Sequence, residues 1–223
     1  MKIFAFKKLG RTLLLSSAVA AMFVGTVSAQ KLIGTAQGRH ERSYDDRRDG
    51  RRNEAVTDRR DGQQYRIVKI GGQMWTAENM NYRTGVSWCY GDNNSNCEKY
   101  GRLYDWNTAM TVCPKGWRLP SREEWGNLAA AAGGVSKALK STSGWVGNSN
   151  GTDDFGFSAL PGGCRNNPGS FANYNDAGWW TATEGGNGNS GAYAKAMGAN
   201  YGYIYEGFRN KGFGFYARCV EDD

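Results

Sequence analysis

The sequence predicts an α+β domain built of short strands, with its helices in the first half and long Gly- and Asn-rich connections in the second. Three observations carry this. Residues 63 to 223 hold 26 Gly and 17 Asn, and 25 aromatics against only 14 Leu, Ile and Val together, so aromatic rings must supply most of the buried area and a helical bundle is excluded. Helix signals end at Gly133-Gly134. Beyond Gly151, short β-compatible runs alternate with Gly and Asn, which segregates helices from strands in the α+β manner.

Taken in chain order, four basic residues (Lys2, Lys7, Lys8, Arg11) precede an apolar run from Leu13 to Val24, and Val27-Ser28-Ala29 places small residues around a cleavage point. Residues 1–29 therefore read as an export signal with Gln30 as the mature N-terminus. The run of twelve residues is short of the ~20 that span a bilayer, so no transmembrane segment is expected after cleavage. The protein is expected to be exported: secreted, on the outer surface or in the periplasm. Residues 30–62 repeat Asp-Arg-Arg-Asp-Gly at 46–50 and 58–62 and carry the single histidine, His40. Their mixed charges and few apolar groups predict a polar, disordered tether, leaving 63–223 as the domain.

From Gln64, alternation of Tyr65, Ile67 and Lys69 with Arg66, Val68 and Ile70 reads as a strand. Gly71-Gly72 turns it into a second strand around Met74-Trp75-Thr76. Leu103 to Val112 is helix-compatible. Ser121 with Glu124 three residues on is a capping box opening a helix through Trp125, Leu128 and Ala129 to Ala132, stopped by the glycine pair. Strands are expected over Gly156–Leu160, Gly178–Thr183, Ala192–Met197, Tyr201–Glu206 and Gly212–Val220.

Charge and chemistry exclude more than they assign. Of the net +7, the signal contributes +4, residues 30–62 contribute +2 and the domain +1, so no phosphate-tracking surface is expected and nucleic acid is not a partner. A domain without histidine excludes Ser-His-Asp and Cys-His mechanisms. The carboxylates Glu78, Asp105, Asp153, Asp154, Asp176, Glu184 and Glu206 leave a glycosidase-like pair open, with no spacing that selects two. Asp92, Asn94 and Asn96 resemble the start of a calcium loop, but Cys97 and Leu103 stand where glycine and glutamate belong; calcium is the one cofactor left open. Five cysteines, Cys89, Cys97, Cys113, Cys164 and Cys219, suit two disulfides in an exported chain and allow 15 pairings. A Cys89–Cys97 bridge would close a short polar loop, worth ~2.6 kcal/mol on a chain-entropy estimate. A Cys113–Cys219 bridge would close most of the domain, worth ~4.8 kcal/mol.

The aromatics suggest a binding surface. Trp179 and Trp180 are neighbours on an expected strand, which sends one inward and one outward, with Asn175 and Asp176 just before them. Tyr201, Tyr203 and Tyr205 are expected on one face of another strand. The contrary expectation is that both faces are covered and all five rings are core.

Ordered motifs then carry a resemblance: Thr57-Asp58-Arg59-Arg60-Asp61-Gly62, Trp75-Thr76-Ala77-Glu78-Asn79-Met80-Asn81-Tyr82, Tyr100-Gly101-Arg102-Leu103-Tyr104-Asp105-Trp106, Cys113-Pro114-Lys115-Gly116-Trp117-Arg118-Leu119-Pro120, Gly156-Phe157-Ser158-Ala159-Leu160-Pro161-Gly162-Gly163, Trp179-Trp180-Thr181-Ala182-Thr183-Glu184 and Arg218-Cys219-Val220. Over about residues 57–223 the chain resembles the Fibrobacter succinogenes major paralogous domain family. The resemblance implies an exported or surface-associated bacterial protein with a C-type-lectin-like fold, distantly similar to formylglycine-generating enzymes. It supports pairing Cys113 with Cys219. Cys164 stands where the family usually shows an aromatic and is expected to be the free thiol. The closely spaced cysteine pair of the formylglycine-generating relatives is missing, and so are the Glu-Pro-Asn and Trp-Asn-Asp signatures of calcium-dependent lectins, so neither activity is carried over. The functional expectation is a non-catalytic exported or cell-surface module that binds glycan or protein through exposed aromatics, with polysaccharide or another envelope protein as partner. An envelope structural protein and a carboxylate-based glycan-acting enzyme are the alternatives.

Overall fold

The computed structural model describes residues 54–185 and 190–222. Among them the strands are β1 (Ala55–Thr57), β2 (Gln64–Ile70), β3 (Gln73–Thr76), β4 (Ser87–Trp88), β5 (Leu103–Tyr104), β6 (Trp117–Arg118), β7 (Cys164–Arg165), β8 (Phe171–Ala172), β9 (Asp176–Gly185), β10 (Gly191–Gly198), β11 (Tyr205–Asn210) and β12 (Val220–Glu221). The helices are α1 (Asn94–Tyr100), α2 (Trp106–Ala109) and α3 (Arg122–Ala131), with single 3₁₀ turns at Tyr90–Asp92 and Ser136–Ala138. A five-stranded sheet runs β1-β2-β3-β12-β6, a three-stranded one β11-β10-β9, and β4-β5 and β7-β8 form two-stranded pairs. The fold is α+β, and no described helix is long and apolar enough to cross a membrane.

The opening hairpin forms as expected: β2 pairs antiparallel with β3 from Ile67 opposite Thr76 to Ile70 opposite Gln73. Both glycines of its turn take positive φ, +62° and +88°, which suits the twist of a two-residue hairpin loop. Order, however, begins before residue 63. Val56 of β1 pairs with Tyr65, and Asp58 is buried, accepting from the Arg60 guanidinium at 2.6 Å. Arg60 also donates to the Val112 carbonyl and lies 3.9 Å over the Tyr82 ring. The second Asp-Arg-Arg-Asp-Gly copy thus belongs to the domain. It docks through backbone pairing and a half-buried ion pair, which a count of apolar side chains does not register. The expected export signal (1–29), His40 and the rest of the expected tether up to residue 53 lie outside the described residues.

The capping box is formed in full: Ser121 Oγ accepts from the Glu124 amide and the Glu124 carboxylate accepts from the Ser121 amide. Arg118 holds that carboxylate from the side at 2.7 Å. The expected helix over Leu103–Val112 is shorter, because Leu103 and Tyr104 pair with β4 and the Asp105 side chain caps only the four residues that follow. Helix α1, capped by Asn93, was not anticipated. Three expected strands also differ. Gly156–Leu160 turns instead, since the Asp153 carboxylate accepts from the Ser158 amide and hydroxyl. In Gly212–Val220 the chain changes partner residue by residue, Gly214 bridging Arg165, Phe215 bridging Tyr104 and Tyr216 bridging Trp179. Of the expected Tyr201–Glu206 strand, Tyr201–Ile204 is a bend, and only Tyr205 and Glu206 enter β11.

Two aromatic clusters fill the interior, one on each face of β9. On one face Trp179 packs 5.7 Å from Trp125 and 6.4 Å from Phe157, and Trp75 packs 5.1 Å from Trp125. On the other Trp180 meets Phe215 edge-on at 4.9 Å, near Trp106 and Tyr104. Cys89 is bonded to Cys97 and Cys113 to Cys219, and Cys164 is a buried free cysteine. Burial pushes the Cys164 thiol up, so alkylation should label one thiol per chain in denaturant and proceed far more slowly on the native protein. With both indoles fully buried, Trp179→Ala and Trp180→Ala should each cost about 3–5 kcal/mol. Denaturant melts with the disulfides intact check this.

Candidate functional site

Neither strand tryptophan is a surface platform. The alternation expected at Trp179 and Trp180 is real, but both are 0% exposed, because helix α3 and the Tyr104–Trp106 segment cover opposite faces of β9. Each indole N–H is also satisfied internally, Trp179 by Asn79 Oδ1 at 2.8 Å and Trp180 by the Tyr104 carbonyl at 2.9 Å. The other proposed residues do come together, at the start of β9 and the β10–β11 connection.

Tyr201 packs edge-on against both Tyr203 (5.9 Å) and Tyr205 (5.5 Å). Tyr201 and Tyr203 are 46% and 54% exposed, so two of the three rings face solvent. The cluster does not arise from strand alternation, since the bend at Tyr201–Ile204 folds the rings onto one another. That bend is built from beneath. Buried Lys140 donates to the Gly198 carbonyl at 2.6 Å and the Tyr201 carbonyl at 3.4 Å, and lies 4.5 Å over the Trp145 ring. Ser136 donates its hydroxyl to the Tyr201 carbonyl and its amide to the Gly202 carbonyl. Carbonyls claimed from inside cannot join a ladder, which is why the expected strand bends here.

Asp176 sits against the tyrosines. A Cβ added to Gly198 would lie 2.7 Å from both Asp176 Oδ1 and Tyr201 Cδ2, so only glycine leaves room for the carboxylate and the ring that both pack against this position. Burial raises the Asp176 pKa above its ordinary value, partly opposed by the Ala199 amide and by Lys140. Burial likewise lowers Lys140, with Asp176 opposing, and raises Tyr205, with the Asp176 charge adding to the effect. The neighbouring turn brings Asn175, whose carbonyl accepts from the Ala199 amide, and Tyr174, 65% exposed. Sequence reasoning missed Tyr174, Gly198 and Lys140. The polar Asn173-Tyr174-Asn175-Asp176 run signals the turn, whereas nothing local signals that a lysine far along the chain supports the bend.

The remaining candidates divide differently. Glu78 pairs with Arg66, Glu184 with Lys211 and Glu206 with Arg122 and Lys195, while Asp105 caps α2 and Asp153 closes the 153–158 turn. Asp154 is exposed, and Asp176 lies beside the exposed tyrosines. Asp92 and Asn94 line a cavity of about 560 Å³ with Arg83 and Arg102, and Asn96 instead donates to the Tyr90 carbonyl. The three do not form one oxygen cluster, and two guanidinium groups beside them disfavour a cation. Among the described residues no group of three or more His, Cys, Asp or Glu side chains comes together.

The family described as Fibrobacter succinogenes major domain has a model that matches residues 68–221. No curated protein and no solved structure matches the chain.

Asp176 has a pH signature. Its folded-state pKa is raised, so the native state holds the proton more tightly than the unfolded chain, and stability falls as pH rises from the ordinary carboxylate value through the raised one. Asp176→Asn should remove that fall and make the protein more stable than the wild type at pH 7. Denaturation midpoints from pH 3 to 8 test this; a less stable variant at pH 7 would contradict it.

Proposed function

The chain belongs to the Fibrobacter succinogenes major domain family, and we propose that it is an exported, non-catalytic module that binds glycan through the tyrosine rim at Tyr201, Tyr203 and Tyr205. The observation that carries this reading is an exposed aromatic cluster with a half-buried carboxylate against it, held in place by the buried Lys140. Sugars present apolar ring faces edged with hydroxyls, so a site for them needs flat rings with adjacent polar acceptors. Tyr201 and Tyr203 offer the rings, and Asp176 the acceptor. Because Lys140 and Ser136 hold the bend before any ligand arrives, little ordering cost remains on binding.

Two disulfides support export, since such bonds persist in oxidising compartments. The engagement of Glu78, Asp105, Asp153, Glu184 and Glu206 in ion pairs and turns favours binding without hydrolysis over a carboxylate-pair mechanism. The lectin-like scaffold inferred from the motifs suits the same role.

Incubation with a panel of insoluble polysaccharides should show retention without release of soluble sugar. Tyr203→Ala should weaken retention about tenfold while stability stays within about 1 kcal/mol of wild type. Equal retention of Tyr203→Ala would remove the rim from the site. Released sugar would favour the enzyme reading, and capture of a protein with no polysaccharide retained would favour an envelope-assembly role.

A further inference from the structure

A second site lies in the cavity of about 560 Å³ lined by Arg83, Thr84, Ser87, Trp88, Asp92, Asn94 and Arg102. Its wall is built, for the Cys89–Cys97 disulfide fixes the residue after Trp88 to α1, which carries Asn94, across the turn that carries Asp92. The Arg165 guanidinium lies 4.1 Å over the Trp88 ring and holds it from behind. Ser87 is fixed too, its hydroxyl donating to the Thr84 carbonyl and accepting from the Thr84 amide.

Charge decides the ligand class. Arg83 and Arg102 outnumber Asp92, so the lining carries a net positive charge, which favours an anion. Two polar atoms of this wall, Arg102 Nε and Thr84 Oγ1, are buried without a hydrogen-bond partner. Both can donate, and both belong to residues that line the cavity. Guanidinium groups pair in bidentate fashion with oxyanions, carboxylates among them. The rest of the lining is suited to hydroxyls: Asp92 accepts, Asn94 donates and accepts, and Ser87, whose O–H is committed to the Thr84 carbonyl, can only accept. Trp88 adds an aromatic edge.

We propose that this cavity binds a carboxylated sugar unit, a uronate, with the carboxylate on Arg83 and Arg102 and the ring hydroxyls on Asp92 and Asn94. The site is separate from the tyrosine rim and does not depend on it. It would give the protein selectivity for acidic over neutral polysaccharide.

Calorimetric titration with a galacturonate trisaccharide, a neutral galactose trisaccharide and an acidic peptide tests the proposal. The uronate should bind at least about tenfold more tightly than either comparison ligand, and less tightly as salt is raised. Arg83→Gln, on an exposed side chain that can change without disturbing the fold, should weaken it about tenfold, and Arg102→Gln likewise. Tyr203→Ala should leave it unchanged, so failure here and failure of the rim are told apart. The assignment is overturned if uronate fails to bind, if neutral sugar or peptide binds as tightly, if Arg83→Gln binds uronate as wild type does, or if Tyr203→Ala abolishes binding.

Discussion

Arg218 is the interaction on which the other parts of this structure depend. It is 2% exposed, and its hydrogen-bond partners are neutral oxygens. Nε donates to Asn79 Oδ1 at 2.8 Å, and the guanidinium reaches the carbonyls of Thr76 at 3.1 Å and Phe157 at 2.6 Å, with the Phe157 ring 4.2 Å away. Burial pushes its pKa down to about 9, with the charges of Glu78 and Asp153 opposing, so the charged form is held at a cost that the carbonyl dipoles must offset. Asn79 extends the node by accepting from Trp179 and donating to the Tyr100 carbonyl at 2.7 Å. The first hairpin, the 157–158 turn, the end of α1 and the middle of β9 are thereby fixed to one side chain, and the next residue, Cys219, is disulfide-bonded to Cys113.

This arrangement explains the division of labour among the aromatics. With few aliphatic residues available, Trp75, Trp125, Trp179 and Trp180 are all consumed in the interior, and tyrosines are left to face solvent. A ring with a hydroxyl tolerates that position better than an indole packed among other rings. The rim also inherits rigidity from the core, since Lys140, which supports the bend, is itself stacked on buried Trp145. The same logic holds at the second cavity, where a disulfide and an arginine-backed tryptophan fix the wall. In both places the proposed binding surface lies on irregular backbone whose carbonyls and side chains are tied down from behind, a common way for loops to carry function.

Local signals were legible and long-range ones were not. The hairpin at Gly71-Gly72 and the capping box at Ser121 and Glu124 are encoded within a few residues and formed as read. Alternation at Trp179 and Trp180 correctly placed them on opposite faces, but a period of two reports only that faces differ, and whether the second face is covered depends on segments some 75 to 100 residues away. Tyr201, Tyr203 and Tyr205 were grouped for the wrong reason: the bend brings them together, and that bend exists because Ser136 and Lys140 claim its carbonyls. Arg218 was legible only as part of a motif, since nothing in its neighbourhood marks a buried cation. The order at residues 54–62 was missed because β1 is held by pairing and an ion pair, which composition does not report.

A double-mutant cycle on Asn79→Ala and Arg218→Met, followed by chemical denaturation with both disulfides intact, most directly tests whether one node holds these segments together. If it does, each single variant breaks the same unit and the double variant loses less than the sum, with a coupling of at least about 1.5 kcal/mol. Additivity to within about 0.5 kcal/mol would show that the two residues act independently and that the fold is held elsewhere.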